Sequence, residues 1–197
     1  MAETTAGRLI ERFIPQADVR ECHETIVHAP ADLVFDIAEH FDLQSIPLVR
    51  AIFWLRGKMM GSRPAPPRRP IGLVAETTSL GWGELARRPG RELVMGAVTE
   101  PWKADVKFTA VPPERFLAYA EPARVKIVWR LEAVAIEPAL TLFRTETRAV
   151  ATDEVARKKF RRYWRFVRVG VVLIRWLHLP ALRREAEKRY RAGRTNR

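Results

Sequence analysis

The chain contains one cysteine, Cys22. A lone thiol closes no internal disulfide, and no C-x-x-C zinc or redox motif can be assembled, which fits a reducing compartment. His23, His28, His40 and His178 show no H-x-x-x-H spacing, so no metal site is expected. Gly81-Trp82-Gly83 lacks the third glycine and the following helix of a dinucleotide loop, and there is no G-x-S-x-G nucleophile elbow. No cofactor is expected. No apolar run approaches the roughly 20 residues of a membrane span. Residues 1–15 carry Glu3, Glu11 and Arg12 in place of a signal peptide's basic start and unbroken apolar stretch. The expectation is a cytoplasmic protein, with peripheral contact to a membrane as an option that the charge raises.

What is present suits one domain. The 197 residues are 47% hydrophobic and 29% charged, enough for a single sizeable core spanning 1–197. The net charge of +12 is unevenly placed. From Glu154 onward there are 15 basic and 3 acidic residues, whereas the rest balances at 20 of each. A basic end of this kind favours an anionic partner, or is simply a solvated helix face.

Residues 19–28 read as a first strand, ended by Ala29-Pro30. Pro30-Ala31-Asp32 opens a short helix, and Asp42 caps a second over 43–60, closed by Gly61. The proline-rich stretch 61–70 is a surface loop, the best candidate for a flap. Residues 82–87 and 92–99 form a hairpin about Pro89-Gly90, a strand covers 106–110, and a short turn or helix covers 113–117. Residues 124–135 alternate cleanly. Val125, Ile127, Trp129, Leu131 and Ala133 take a covered face; Arg124, Lys126, Arg130 and Glu132 take a wet one. Residues 142–150 alternate again, with an outward Glu146 placed to meet arginines across the hairpin. Thr152-Asp153 caps a long helix with an inward stripe of Phe160, Tyr163, Trp164, Val167, Val171 and Ile174. Pro180 is expected to break or kink it, leaving a basic tail over 181–197.

Strand, two helices, antiparallel strands and a terminal helix make a recognisable order. The segment Glu24-Thr25-Ile26-Val27-His28-Ala29-Pro30-Ala31-Asp32-Leu33-Val34-Phe35-Asp36-Ile37-Ala38 resembles the first strand and helix of the START-like (SRPBCC) superfamily. Thr145-Glu146-Thr147-Arg148, Thr152-Asp153 and Phe160-Arg161-Arg162-Tyr163-Trp164 resemble its last strand and gripping helix. The resemblance spans about 19–179 and implies an α+β helix-grip fold, a curved antiparallel sheet wrapped around the C-terminal helix. It also implies a ligand cavity, in a superfamily that binds, carries or cyclises apolar molecules. Fold alone does not choose among these.

The residues expected to line that cavity are Trp82, Met95, Trp102, Phe108, Trp129, Phe143, Thr145, Phe160 and Trp164, with Thr147 beside them. Each aromatic could equally be core filling. The leading expectation is binding or transport of an apolar small molecule, a lipid or polycyclic compound. The alternative is a polyketide cyclase or dehydratase-like enzyme, with Glu100 at a raised pKa or Tyr163 as the acid–base group. A third reading is docking on an anionic membrane surface, where Arg161, Arg162, Arg165, Arg168 and Arg175 mingle with Phe166, Val172, Trp176 and Leu177. No specific nucleic-acid contact is expected, since the basic segment has no docking motif.

Overall fold

A computed structural model describes residues 9–61 and 72–195; the expected flap, apart from Gly61, falls outside them. Strand β1 (Val19–Val27) leads through Pro30 into helix α1 (Ala31–His40). The Asp42 carboxylate accepts the amide of Gln44, but it caps a 3-10 turn, Leu43–Ser45. Helix α2 (Pro47–Met60) starts only at the proline, because the residue before a proline is held extended, here Ile46 at φ −86° and ψ 112°. Gly61 ends it at φ +66°. Helix α3 (Leu73–Ser79), too short to show a period, was not expected from the sequence. The rest follows the expected order: β2 (Gly83–Arg88), β3 (Glu92–Thr99), β4 (Phe108–Thr109), α4 (Pro113–Phe116), β5 (Val125–Glu137), β6 (Leu140–Ala151) and α5 (Glu154–Thr195).

The strands form one antiparallel sheet in the order β1-β6-β5-β3-β2, with β4 on β3. Gly81 turns the chain into β2 at φ +99°, and a Cβ there would collide with the backbone carbonyl of Phe108. The Gly-Trp-Gly motif is therefore a packing requirement of the turn. Asp153 caps α5, accepting the Ala156 amide at 2.6 Å. The α+β helix-grip architecture is thus present: a six-stranded open sheet, short helices after strand one, and a 42-residue terminal helix across the inner face.

Two expectations are corrected. The first concerns Pro180, which lies inside α5 without ending it. Beyond it, Leu182 and Ala186 are buried against Phe35, Ile37 and their neighbours in the inner core, and this tertiary packing outweighs the lost backbone hydrogen bond. The second concerns the outer face of β5 and β6, which is not wet. Leu9, Ile10, Phe13 and Ile14 lie over it together with Leu85, Val94, Val98, Val111 and Phe116. Phe13 meets Phe116 edge to face at 6.1 Å between centroids. Lys126 is buried and donates to the Leu117 carbonyl at 2.8 Å.

The charges under this cover compensate one another. Arg130 is fully buried and reaches Glu146 at 2.9 Å, Glu132 at 3.2 Å and Glu92 at 3.4 Å. Glu146 also takes Arg148 at 2.8 Å and Arg20 at 2.7 Å, the pairing across strands that its position implied. Arg148 continues outward to the Ile14 carbonyl and Glu11, and so pins the N-terminal segment to the sheet. Burial opposes the charge on Glu146, but Arg148, Arg130 and Arg20 outweigh it and hold the carboxyl below its ordinary range. Glu92 goes the other way: burial and the neighbouring Glu132 push it up despite Arg130.

Candidate ligand-binding site

Helix α5 is firmly packed against the sheet only towards its two ends. Ala156 and Phe160 are buried at one end, and His178, Leu179, Leu182 and Ala186 at the other. Between them Trp164, Val167, Val171, Ile174 and Arg175, which share the inner side, are only half-buried. The sheet opposite has the same pattern. Val125 and Ala149 are buried with Phe160 in one cluster, and Trp129, Leu131 and Phe143 with Leu179 and Leu182 in the other. The band between them, Glu21 and His23 of β1, Thr147 of β6 and Ile127 of β5, is half-buried. These two half-buried faces look toward each other, and the stretch between them is called the gap below. It follows the helix from 164 to 175, 11 residues or about 16 Å at the α-helical rise.

The helix side is largely apolar, and the sheet side carries the polar Glu21, His23 and Thr147. Arg175 points from α5 to the sheet and donates to the Thr147 hydroxyl at 3.3 Å. Desolvation lowers its pKa to about 10, so it remains cationic at neutral pH. Glu21, across from Thr147 in the sheet, is held by Arg168 at 2.7 Å, which closes the β1 side of the gap. One turn beyond Arg175, His178 is fully buried, its ring tilted on Phe41 at 4.9 Å between centroids. Among the described residues neither of its ring nitrogens has a hydrogen-bond partner, and Nε2 of His23 is buried and unpartnered as well. Burial, reinforced by the charge of Arg175, lowers His178 to about 3. The same two causes lower His23, against the opposing pull of Glu21. Both imidazoles are therefore neutral at pH 7.

The expected lining residues divide between the two ends. Met95, Trp129 and Phe143 belong to the larger cluster, with Trp82 at its margin and Phe108 stacked on Trp82 at 5.2 Å. Thr145 is buried there and accepts the Trp129 indole N–H at 3.3 Å. Phe160, Trp164 and Trp102 form the other end, with the Phe160 and Trp164 rings 6.0 Å apart. The fold brings Trp129 and Thr147 into direct cross-strand register beside the gap. Met95, Phe143 and Phe160 are fully buried. Sequence reasoning missed His23, Arg175 and His178. The available signal was position: Arg175 and His178 fall on the helical phase of Val171 and Leu182, and His23 alternates with Glu21 and Thr25 on β1.

The two acid–base candidates are both engaged by neighbouring side chains. Glu100 is paired with Lys103 at 2.6 Å and with Arg124. The Lys103 hydrogen bond first, and then the Arg124 charge, hold its carboxyl below the ordinary range. That is opposite to the raised pKa expected of a proton donor. The Tyr163 hydroxyl accepts from Arg56 of α2 at 3.3 Å. It borders a cleft of about 270 Å³ with Trp102, Lys159, Arg162 and Phe166, and its ring packs with Trp164 and Ile127 against Phe160.

No protein-family model and no curated protein sequence matches the chain. Solved structures align over most of the chain, each at low identity. The Zhui aromatase/cyclase from Streptomyces sp. R1128 aligns at 15% identity over 89% of this chain and 97% of its own, with a TM-score of 0.31. DR_A0006 from Deinococcus radiodurans aligns at 13% identity over 77% of this chain and 99% of its own, with a TM-score of 0.31. CalU16 from Micromonospora echinospora aligns at 13% identity over 88% and 86%, with a TM-score of 0.27. Likeness at this level carries no argument, and function has to be argued from side chains.

Proposed function

We propose that this protein binds an apolar small molecule in the gap between α5 and the sheet. The observation that supports this most is the half-buried middle of the inner face of α5, framed by fully packed ends. A helix whose only inward role was structural would bury that stripe throughout, because each apolar side chain left half open forgoes roughly 1 kcal/mol of burial. Binding fits the residues better than catalysis does, since Glu100 is held ionised by Lys103 and Arg124 and the Tyr163 hydroxyl is engaged by Arg56. Purified protein is expected to carry an apolar molecule into native mass spectrometry, or to take one up from a panel of fatty acids and polycyclic aromatics. Protein that stays empty throughout that panel would sink the reading.

A second reading, docking on an anionic membrane surface, draws on the opposite side of the same helix. Phe166, Val169, Leu173 and Trp176 form a second apolar stripe pointing away from the sheet, and Phe166, Val169 and Trp176 are 68%, 72% and 69% exposed. Leu48, Trp54, Leu55 and Met59 of α2 are exposed beside it, the two helices meeting where Gly170 packs on Ile52. Lys58 lies over the Trp54 ring and Arg165 over Phe166. Apolar and aromatic side chains ringed by cations suit the headgroup region of an anionic bilayer. Of the five arginines expected on this face, Arg175 belongs to the inner face and Arg168 pairs with Glu21, which leaves Arg161, Arg162 and Arg165 as the outward cations. No helix among the described residues is long and apolar enough to cross a membrane. The protein should co-float with phosphatidylcholine vesicles containing phosphatidylserine and not with phosphatidylcholine alone. Replacing both Phe166 and Trp176 by alanine should weaken this about tenfold or more, given roughly 1.5 kcal/mol or more for each large apolar side chain buried. Equal flotation of the variant would remove this face from consideration.

A further inference from the structure

We propose that the ligand of the gap is an apolar carboxylic acid whose carboxylate docks on Arg175, beside His178 and the Thr147 hydroxyl. The proposal rests on the gap being a binding site and adds the chemical class of its occupant.

The argument begins with an unbalanced charge. On the outer face of the sheet the buried arginine, Arg130, has carboxylates within 2.9–3.4 Å. On the inner face the only hydrogen-bond partner of Arg175 among the described residues is a neutral hydroxyl at 3.3 Å. The nearest carboxylate along the strand, Glu21, is committed to Arg168. A guanidinium partly withdrawn from water with no carboxylate beside it is a favourable place for an anion. The desolvation that lowers Arg175 to about 10 is consistent with this shelter.

The neighbours narrow the anion. His178 is fully buried with both ring nitrogens unpartnered among the described residues, so a neutral imidazole stands ready to donate one N–H. Nε2 of His23 is likewise unpartnered. One cation with neutral donors matches one negative charge. A phosphate monoester would bring about 1.5–2 charges into the same sheltered corner and leave part of that charge uncompensated. A carboxylate also fits the planar fork of a guanidinium in a bidentate pair. The body of the ligand would then run along Val171, Val167 and Trp164. The half-buried stretch from 175 to 164 measures about 16 Å at the helical rise, the reach of a twelve-carbon chain or of several fused rings.

The test compares acids with alcohols of the same skeleton. Calorimetric titration of the full chain would use dodecanoic acid against dodecanol, and pyrenebutyric acid against pyrenebutanol. The wild type is expected to prefer the acid of at least one pair by about tenfold or more, the scale of a hydrogen bond to a charged group. In Arg175→Met, which keeps an apolar stem, acid and alcohol should bind alike, with alcohol affinity changed less than about twofold if the loss is confined to the head group. Arg175→Lys should keep part of the preference, because it retains the charge and loses the fork. Alcohols that bind the wild type as well as the acids would overturn the head-group assignment and leave the gap as an apolar site. Failure of all four ligands would overturn the binding reading itself. The wild-type comparison decides the point even if a variant does not fold.

Discussion

Replacing Arg130 with methionine should cost about 3–5 kcal/mol of stability, the range for removing one partner from a buried ion cluster. Arg130 is fully buried and touches three carboxylates, so its loss leaves Glu92 and Glu132 facing each other with less compensation. Glu92 already titrates above its ordinary range through burial and Glu132, and this repulsion would grow. Methionine fills much of the space, so the loss reports charge more than cavity. Urea unfolding at neutral pH measures it, and moderate salt should recover little because the cluster is shielded from solvent. Replacing Glu92 and Glu146 by apolar residues in the same chain should return part of the loss, since an apolar substitute for a whole buried cluster is often nearly neutral. A loss below about 1 kcal/mol for Arg130→Met, the value of an exposed pair, would mean that the covering segment 9–14 does not seal this face.

The second large effect is on acid stability. His178 titrates at about 3 in the folded protein. In the unfolded chain a histidine titrates near about 6.5. Below that value the unfolded chain takes up a proton that the folded protein refuses. Stability therefore holds above about 6.5 and falls by about 1.4 kcal/mol per pH unit as the pH drops towards the folded value. His178→Leu removes this linkage. Relative to their difference at pH 7, the variant should gain about 2 kcal/mol over the wild type at pH 5. At pH 7 it should lose little, since the ring makes no hydrogen bond among the described residues and serves mainly as packing against Phe41. Equilibrium unfolding at the two pH values tests the difference. His23, also lowered, leaves a smaller slope of the same sign in both proteins. Parallel losses in wild type and variant would mean that water reaches the His178 ring.

Both effects come from residues whose importance was hidden in different ways. The alternation of β5 puts Arg130 on the face opposite Trp129 and Leu131, and pattern alone assigns that face to water. Its burial depends on Phe13 and Ile14, more than 100 positions away, and on Phe116. Arg175 and His178 sat within a basic helix where the count of positive charge drew attention outward. Only the pairing of that helix with Thr147 and Phe41 shows that they turn inward.

Local pattern was sufficient for much of the architecture. The period of two in β5 and β6, the capping aspartate before α5, Gly61 after α2 and the stripe from Phe160 to Ile174 are short-range features, written in neighbouring residues. They set which elements form, in what order, and that one side of each faces a core. They also set the concentration of basic charge on α5. The tertiary structure decided everything that depends on a second segment: that the polar side of the sheet is covered, that α5 runs on through Pro180 because Leu182 and Ala186 are held in the core, and that the middle of its inner face stays half open around Arg175. Periodicity assigns a side chain to a face. Whether that face meets water, protein or a ligand depends on what lies over it, and for α5 the answer is a sheet that packs the helix at both ends and leaves its middle half-buried.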